Sequence, residues 1–418
     1  MNTPTITLAD LTRAFARIGV LSFGGPAAQI ALMHRDLVDD RKWIGEQDFL
    51  SALSFCMLLP GPEAMQLATW IGWRKHGTLG GLIAGLLFVL PGALVVLVLS
   101  MIYAAFGQIP LVAALFTGVQ AAVVAVVIEA LLRVSKRALK SRAYWVVAIL
   151  SFLALFLFAV PFPVVILAAA LYGYSTTRAK ATPPDTPHPW RQSLQATVIW
   201  GAVWLIPLAL IVTLTPGIFA DIALYFSKLA VLTFGGAYAV LAWMSQTVVT
   251  EKQWLTLPQM MDGLGLAETT PGPLILVTEF VAYLAAWKQH GLAGGVYGAA
   301  IALWMTFAPC FLWIFALAPW IARLTAEPKL SGALQGITAA VVGVIANLSL
   351  WFAAHVFFST VTRIDQTPFH LILPDPASFN WASGLIAIAA AYALLRLHVP
   401  LIAVLAGAAI ASAVASVL

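Results

Sequence analysis

Four short stretches decide the fold of this chain: Phe23-Gly24-Gly25-Pro26, Leu59-Pro60-Gly61-Pro62, Phe234-Gly235-Gly236-Ala237 and Pro271-Gly272-Pro273. The second two repeat the first two at a spacing of 211 residues, and Trp43 meets Trp254 at the same spacing. Farther along the spacing widens to 214, where Gly77, Gly80 and Gly81 meet Gly291, Gly294 and Gly295. It reaches 218 where Gly118-Val119-Gln120-Ala121-Ala122-Val123-Val124 meets Gly336-Ile337-Thr338-Ala339-Ala340-Val341-Val342. Collinear matches with small insertions between them read as duplication and fusion of one unit.

All of these motifs lie in apolar surroundings. Of the 418 residues, 61% are hydrophobic and 9% charged, against about 25% charged in a soluble chain. Such a chain cannot cover itself with polar surface. Apolar runs at 78–106, 111–132 and 143–174 exceed the roughly 18 residues that mark a spanning helix. The expected fold class is therefore an all-α polytopic membrane protein. The net charge of +5 is no nucleic-acid signature, because the basic residues fall in short loops between apolar runs. Cys56 and Cys310 sit inside such runs and form neither a disulfide framework nor a metal-ligand spacing. The histidines are scattered, no phosphate-binding loop is visible, and no cofactor is expected. The N-terminus, with Asp10 and Arg13, lacks the layout of a cleaved signal peptide.

Charge sets the expected topology. Arg133, Lys136, Arg137, Lys140 and Arg142 form the densest basic cluster and belong in the cytoplasm. Residues 1–174 form an N-terminal repeat of six spans, with 143–174 dividing at 160–163 into two short ones. Residues 175–195, rich in proline and carrying Arg178, Lys180 and Arg191, read as an exposed cytoplasmic linker. A connecting span at 196–217 then carries the chain across. The C-terminal repeat, 218–418, therefore starts on the opposite side, and the two repeats are inverted. The count is thirteen spans, or ten if 143–174 and its counterpart do not fully cross.

Inverted repeats with broken helices are the mark of secondary transporters, whose sites lie where the repeats meet. Glycine pairs and Pro-Gly-Pro triplets end one half-helix and begin another, and the new N-terminus offers N–H groups and positive dipole character to an anion. The candidate substrate-binding backbone is Gly24, Gly25, Gly61, Gly235, Gly236 and Gly272. Ser22, Gln66, Thr233, Thr269 and Thr270 are candidate hydrogen-bond donors. Arg17 and Lys228, equivalent in the repeat and each six residues before a Phe-Gly-Gly, are candidate counter-charges. Glu63, Glu268 and Glu279 flank the Pro-Gly-Pro breaks and could carry a coupling proton. Glu129 more naturally pairs with the basic cluster. The small-residue ladders Gly77, Gly81, Gly85 and Gly291, Gly295, Ala299 read as close helix packing.

On Phe23-Gly24-Gly25-Pro26, Leu59-Pro60-Gly61-Pro62 and their second copies, the chain resembles the chromate ion transporter family in its long two-domain form. The resemblance covers almost the whole chain; Ala237, standing where the first half has Pro26, departs from it. It implies export of chromate across the bacterial inner membrane, conferring chromate resistance, with sulfate as a structural analogue. The implied partners are chromate or sulfate, a coupling proton and the lipid bilayer, with a homodimer compatible and no nucleic acid. Import of sulfate or another oxyanion fits the motifs nearly as well. An anion channel would need a continuous polar path that these sparse polar residues hardly supply. A membrane enzyme would need a nucleophile or metal constellation, and the sequence offers neither.

Overall fold

Glycine and proline cut each half of the chain into short helices before the long ones begin. In the computed structural model, which describes residues 6–178, 189–234, 237–366 and 369–416, α1 (Leu8–Leu21) starts on a Thr7–Asp10 capping box. It stops before Gly24, whose φ of 85° is left-handed. α2 (Gly25–His34) follows and runs into a π-turn, Arg35–Asp40. α3 (Glu46–Leu58) ends at Leu59, Pro60-Gly61-Pro62 intervenes, and α4 (Glu63–Phe106) begins. A break at His76-Gly77 divides α4, with Gly77 at φ 60°, ψ −154°.

The second half runs through the same order. α9 (Ile218–Leu232), α10 (Ala237–Gln246), a π-turn at Thr247–Glu251 and α11 (Leu257–Thr269) precede the second Pro-Gly-Pro. α12 (Val277–Leu317) is broken at Gly291, with φ 63° and ψ −158°. Positive φ at non-glycine residues repeats too, at Lys42 and Gln253, each 54°. The cations Arg41 and Lys252 lie over Trp43 and Trp254 at 5.2 and 5.8 Å.

After these come α5 (Pro110–Ala138), α6 (Arg142–Phe156) and α7 (Phe162–Thr176) in the first half, and α8 (Trp190–Leu214) between the halves. The second half adds α13 (Ile321–Ala326), α14 (Pro328–Phe357), α15 (Trp381–Leu395) and α16 (Leu401–Ala415). A small antiparallel hairpin, β1 (Val361–Gln366) with β2 (Phe369–Pro374), was not expected from the sequence. The linker is also shorter than expected. α7 reaches Thr176 and α8 already begins at Trp190, so 190–195 are helical, while its prolines from 183 to 187 lie outside the described residues.

Among the described residues, five helical stretches are long and apolar enough to cross a membrane, in Glu63–Phe106, Pro110–Ala138, Trp190–Leu214, Leu274–Ala326 and Pro328–Phe357. Leu94, Val98 and Ile102 on α4, and Val198, Ile199, Leu205 and Leu210 on α8, are exposed. Large aliphatic side chains exposed along such helices are those of a multi-pass membrane protein, for which hydrocarbon is the solvent.

The chain forms two compact units, and each draws on both halves. The first gathers Met1–Met101, Ala179–Ala237 and Leu266–Leu330; within it α12 packs against α8 and α9. The second gathers Ile102–Arg178, Tyr238–Gly265 and Ser331–Leu418; within it α5 packs against α15 and α16. Inside this second unit Gly118 sits directly on the Ala408 carbonyl of α16, and its counterpart Gly336 sits directly on the Ala169 carbonyl of α7. Neither position has room for a side chain.

Candidate substrate-binding site

The breaks of both halves come together in the first unit. Ser22 and Thr233 are the C-caps of α1 and α9, and the last carbonyls of a helix lack an intrahelical donor. Each of these two finds one across the repeat. The Gly61 N–H donates to the Thr233 carbonyl and the Gly272 N–H donates to the Ser22 carbonyl, both at 2.8 Å. The positive φ angles of Gly61 (123°) and Gly272 (90°) turn the backbone for these bonds. A Cβ at Gly61 would also meet Cys310 Sγ and Gln66 Nε2, each at 2.8 Å. Gly92, beside the in-helix Pro91, lies against the carbonyl of Pro271; Cys310, beside the in-helix Pro309, lies against Gly61. Each break is thus backed by the long helix of the other half.

Two glutamines of the first half hold the carbonyls around the breaks. Gln66 Nε2 donates to Pro60 O at 2.7 Å, and Gln29 Nε2 donates to Gly272 O at 2.6 Å and to Ser22 O at 3.3 Å. Gln66 was anticipated and Gln29 was not, although a polar side chain in an apolar run is the available signal. Among the described residues no partner meets the buried Oε1 of either amide, nor Glu279 Oε2, Tyr283 Oη or Thr306 Oγ1. All five side chains belong to the first unit. Buried polar atoms are rarely left unsatisfied, so each of these offers water or a polar solute a group to meet.

The anticipated donors stand differently. The N–H groups of Gly61 and Gly272 are engaged in the cross-repeat bonds. The hydroxyls of Ser22, Thr233, Thr269 and Thr270 donate to carbonyls of their own helices, those of Ile18, Leu229, Leu266 and Ala267. The second break starts α4 after Pro62, and the leading N–H groups of a helix have no acceptor within its own ladder. Glu63 lies there, half-buried. Glu279 lies in the first turn of α12 and is 1% exposed; Glu268 is buried near the end of α11. Gly24 and Gly25 form the first turn-breaking pair; Gly235 and Gly236 lie outside the described residues, though α9 ends at Leu232 and α10 begins at Ala237.

The two cations are on the surface of the unit. Arg17 is 66% exposed and lies 3.9 Å from Asp36, a buried carboxylate that Arg41 also binds; Lys228 is exposed. Asp36, in the π-turn Arg35–Asp40, was not singled out in the sequence. Glu129 pairs with Arg133, as expected. Among the described residues no group of three His, Cys, Asp or Glu could hold a metal ion.

Comparison with known proteins agrees with this architecture. The family model of the chromate transporter matches residues 9–174 and 220–413. The chromate transport protein of Cupriavidus metallidurans is 32% identical over 348 residues, 82% of each chain. That of Pseudomonas aeruginosa is 33% identical over 359 residues, 83% of this chain and 81% of its own. The uncharacterized transporter YwrA of Bacillus subtilis is 31% identical over 167 residues, 39% of this chain but 93% of its own. No solved structure matches the chain. These relatives are named for transport, which points to a transporter rather than an enzyme, and the chain belongs to the chromate transporter family.

Proposed function

We propose that this protein is a secondary transporter that exports chromate across the bacterial inner membrane and so confers resistance, with sulfate as an analogue. The observation that carries the site is the pair of reciprocal bonds from Gly61 to Thr233 and from Gly272 to Ser22. Bonds exchanged between equivalent places are what two inverted copies produce when they close on each other. The two stretches matched by one family, and a relative nearly spanned by 167 residues of this chain, support duplication.

In this reading the oxyanion sits beside the breaks in the first unit. The N-terminal end of α4 supplies partial positive charge there. Arg17 and Lys228 supply full charge at the approach, since a divalent anion leaving water needs compensation. Glu63, Glu268 and Glu279 are carboxylates at the breaks available to a coupling proton. Flux of chromate and sulfate in proteoliposomes under imposed pH and voltage gradients tests the reading. Gradient-driven outward movement of chromate supports it. Movement of sulfate alone would favour an oxyanion importer, and flux that only dissipates gradients would favour a channel.

A further inference from the structure

We infer that Asp262 is a proton-binding residue that couples transport to the pH gradient. The inference rests on the transport reading but uses none of the residues at the breaks. Asp262 lies on α11, the helix that runs into Pro271-Gly272-Pro273, and belongs to the second unit. It is 4% exposed. Tyr103 Oη donates to its Oδ2 at 2.6 Å and Gln120 Nε2 donates to its Oδ1 at 2.8 Å. Tyr103, near the end of α4, and Gln120, on α5, are both neutral. Tyr103 is the titratable group facing the carboxylate, and among the described residues no charged side chain from α4, α5 or α11 acts on it. A buried carboxylate in a membrane protein without a cation beside it is a costly arrangement, and such residues mark ion and proton pathways.

The partners say which ion. A metal cation needs several oxygens around it, whereas both carboxylate oxygens here are already covered by donors. A proton fits. The Gln120 amide can only donate through Nε2, so it fixes Oδ1 as an acceptor in either state. The Tyr103 hydroxyl can donate or accept. When Asp262 binds a proton on Oδ2, that O–H donates to Tyr103 Oη and the tyrosine proton turns away. Release of the proton reverses the bond. The pocket thus keeps both carboxylate oxygens paired in either state. The sequence hides the site because Tyr103 and Gln120 lie 159 and 142 residues from Asp262.

The test uses the purified full-length protein in proteoliposomes with chromate as the probe. Asp262→Asn keeps acceptors and donors for Tyr103 and Gln120 but cannot take a proton. It should retain chromate exchange in the absence of gradients and lose about tenfold or more of the accumulation driven by a pH gradient. Retention of both would overturn the inference. Because the Asn variant could fail to fold, Tyr103→Phe provides a second reading. It should move the pH midpoint of gradient-driven transport, and an unmoved midpoint would also overturn the inference. Absence of exchange by the parent protein would instead overturn the transport reading itself.

Discussion

Gly61 shows how much a single missing side chain can carry. Its φ of 123° is open to glycine and strained for other residues, and a Cβ would meet Cys310 and Gln66 at 2.8 Å. Gly272, at φ 90°, would meet Leu276 at 3.0 Å. Backbone strain of this kind costs about 1–3 kcal/mol, so Gly61→Ala should lower thermal stability and chromate flux together. Gly272→Ala should do so less, since only the tip of a flexible leucine must move. Equal, wild-type flux from both would remove the breaks from the mechanism. The cations act through another route. Arg17→Gln should weaken apparent affinity for chromate by about tenfold, with a smaller effect on maximal rate, because steering charge raises encounter rather than turnover. Arg17→Lys should fall between, having lost the two-pronged grip, and Lys228→Gln should resemble Arg17→Gln in milder form. Affinity unchanged in both Gln variants would make the pair membrane anchors. The glycines and prolines of the site were legible because backbone requirements write themselves directly into residue type. Gln29 was not, because its partner carbonyl lies 243 residues away. Nor was the fate of the hydroxyls of Ser22 and Thr233, since sequence cannot say whether an O–H faces a ligand or its own helix.

The helices carry the same logic at the next scale. α4 and α12 are each cut by a glycine in nearly the same conformation, φ 60°, ψ −154° at Gly77 and φ 63°, ψ −158° at Gly291. That region is essentially reserved for glycine. No atom lies within 4 Å of a Cβ built at either position, so a substitution there is resisted by the backbone alone. Gly77→Ala and Gly291→Ala should each destabilise the folded protein by about 1–3 kcal/mol or straighten the helix. Gly45→Ala, also in open space but at φ −75°, should be neutral within about 0.5 kcal/mol. Thermal unfolding of the purified variants in detergent measures all three, and a loss at Gly45 equal to that at Gly77 would refute the backbone argument. In the sequence these glycines read as the start of packing ladders. Their neighbours do pack closely, Gly81 on the Phe315 ring and Gly295 on that of Tyr283, but the first rung of each ladder is a break. Residue spacing alone does not separate the two roles, because both require the absence of Cβ.

For the whole molecule the question is on which side of the membrane each half begins, and the parity of crossings bears on it. α6, α7, α15 and α16 have 15 residues each, about 22 Å at 1.5 Å per residue, short of the roughly 30 Å hydrocarbon core. They come in pairs, so whether a pair crosses twice or dips and returns, it leaves the chain on the side where it entered. The same holds for the broken pair α1–α2 followed by α3 and the first part of α4. The rest of α4 and α5 make a further pair, as do the rest of α12 and α14, so the thirteen-span count assigns each repeat six crossings, an even number. α8 stands alone between them, and its 25 residues, about 37 Å, are long enough to cross once. One unpaired crossing between two even sets would invert the second relative to the first, which is the topology we propose. Asp39 and Glu251 lie in the equivalent π-turns of the two halves and are both exposed. Cysteines placed there one at a time should react with a membrane-impermeant maleimide from opposite faces of the membrane. The native Cys56 and Cys310 are buried and can be replaced by alanine to remove their signal. The outcome does not depend on whether the broken helices cross or re-enter, since either choice moves both sites together. Labelling of the two positions from the same face would mean that α8 does not cross, and the inverted architecture would fall with it.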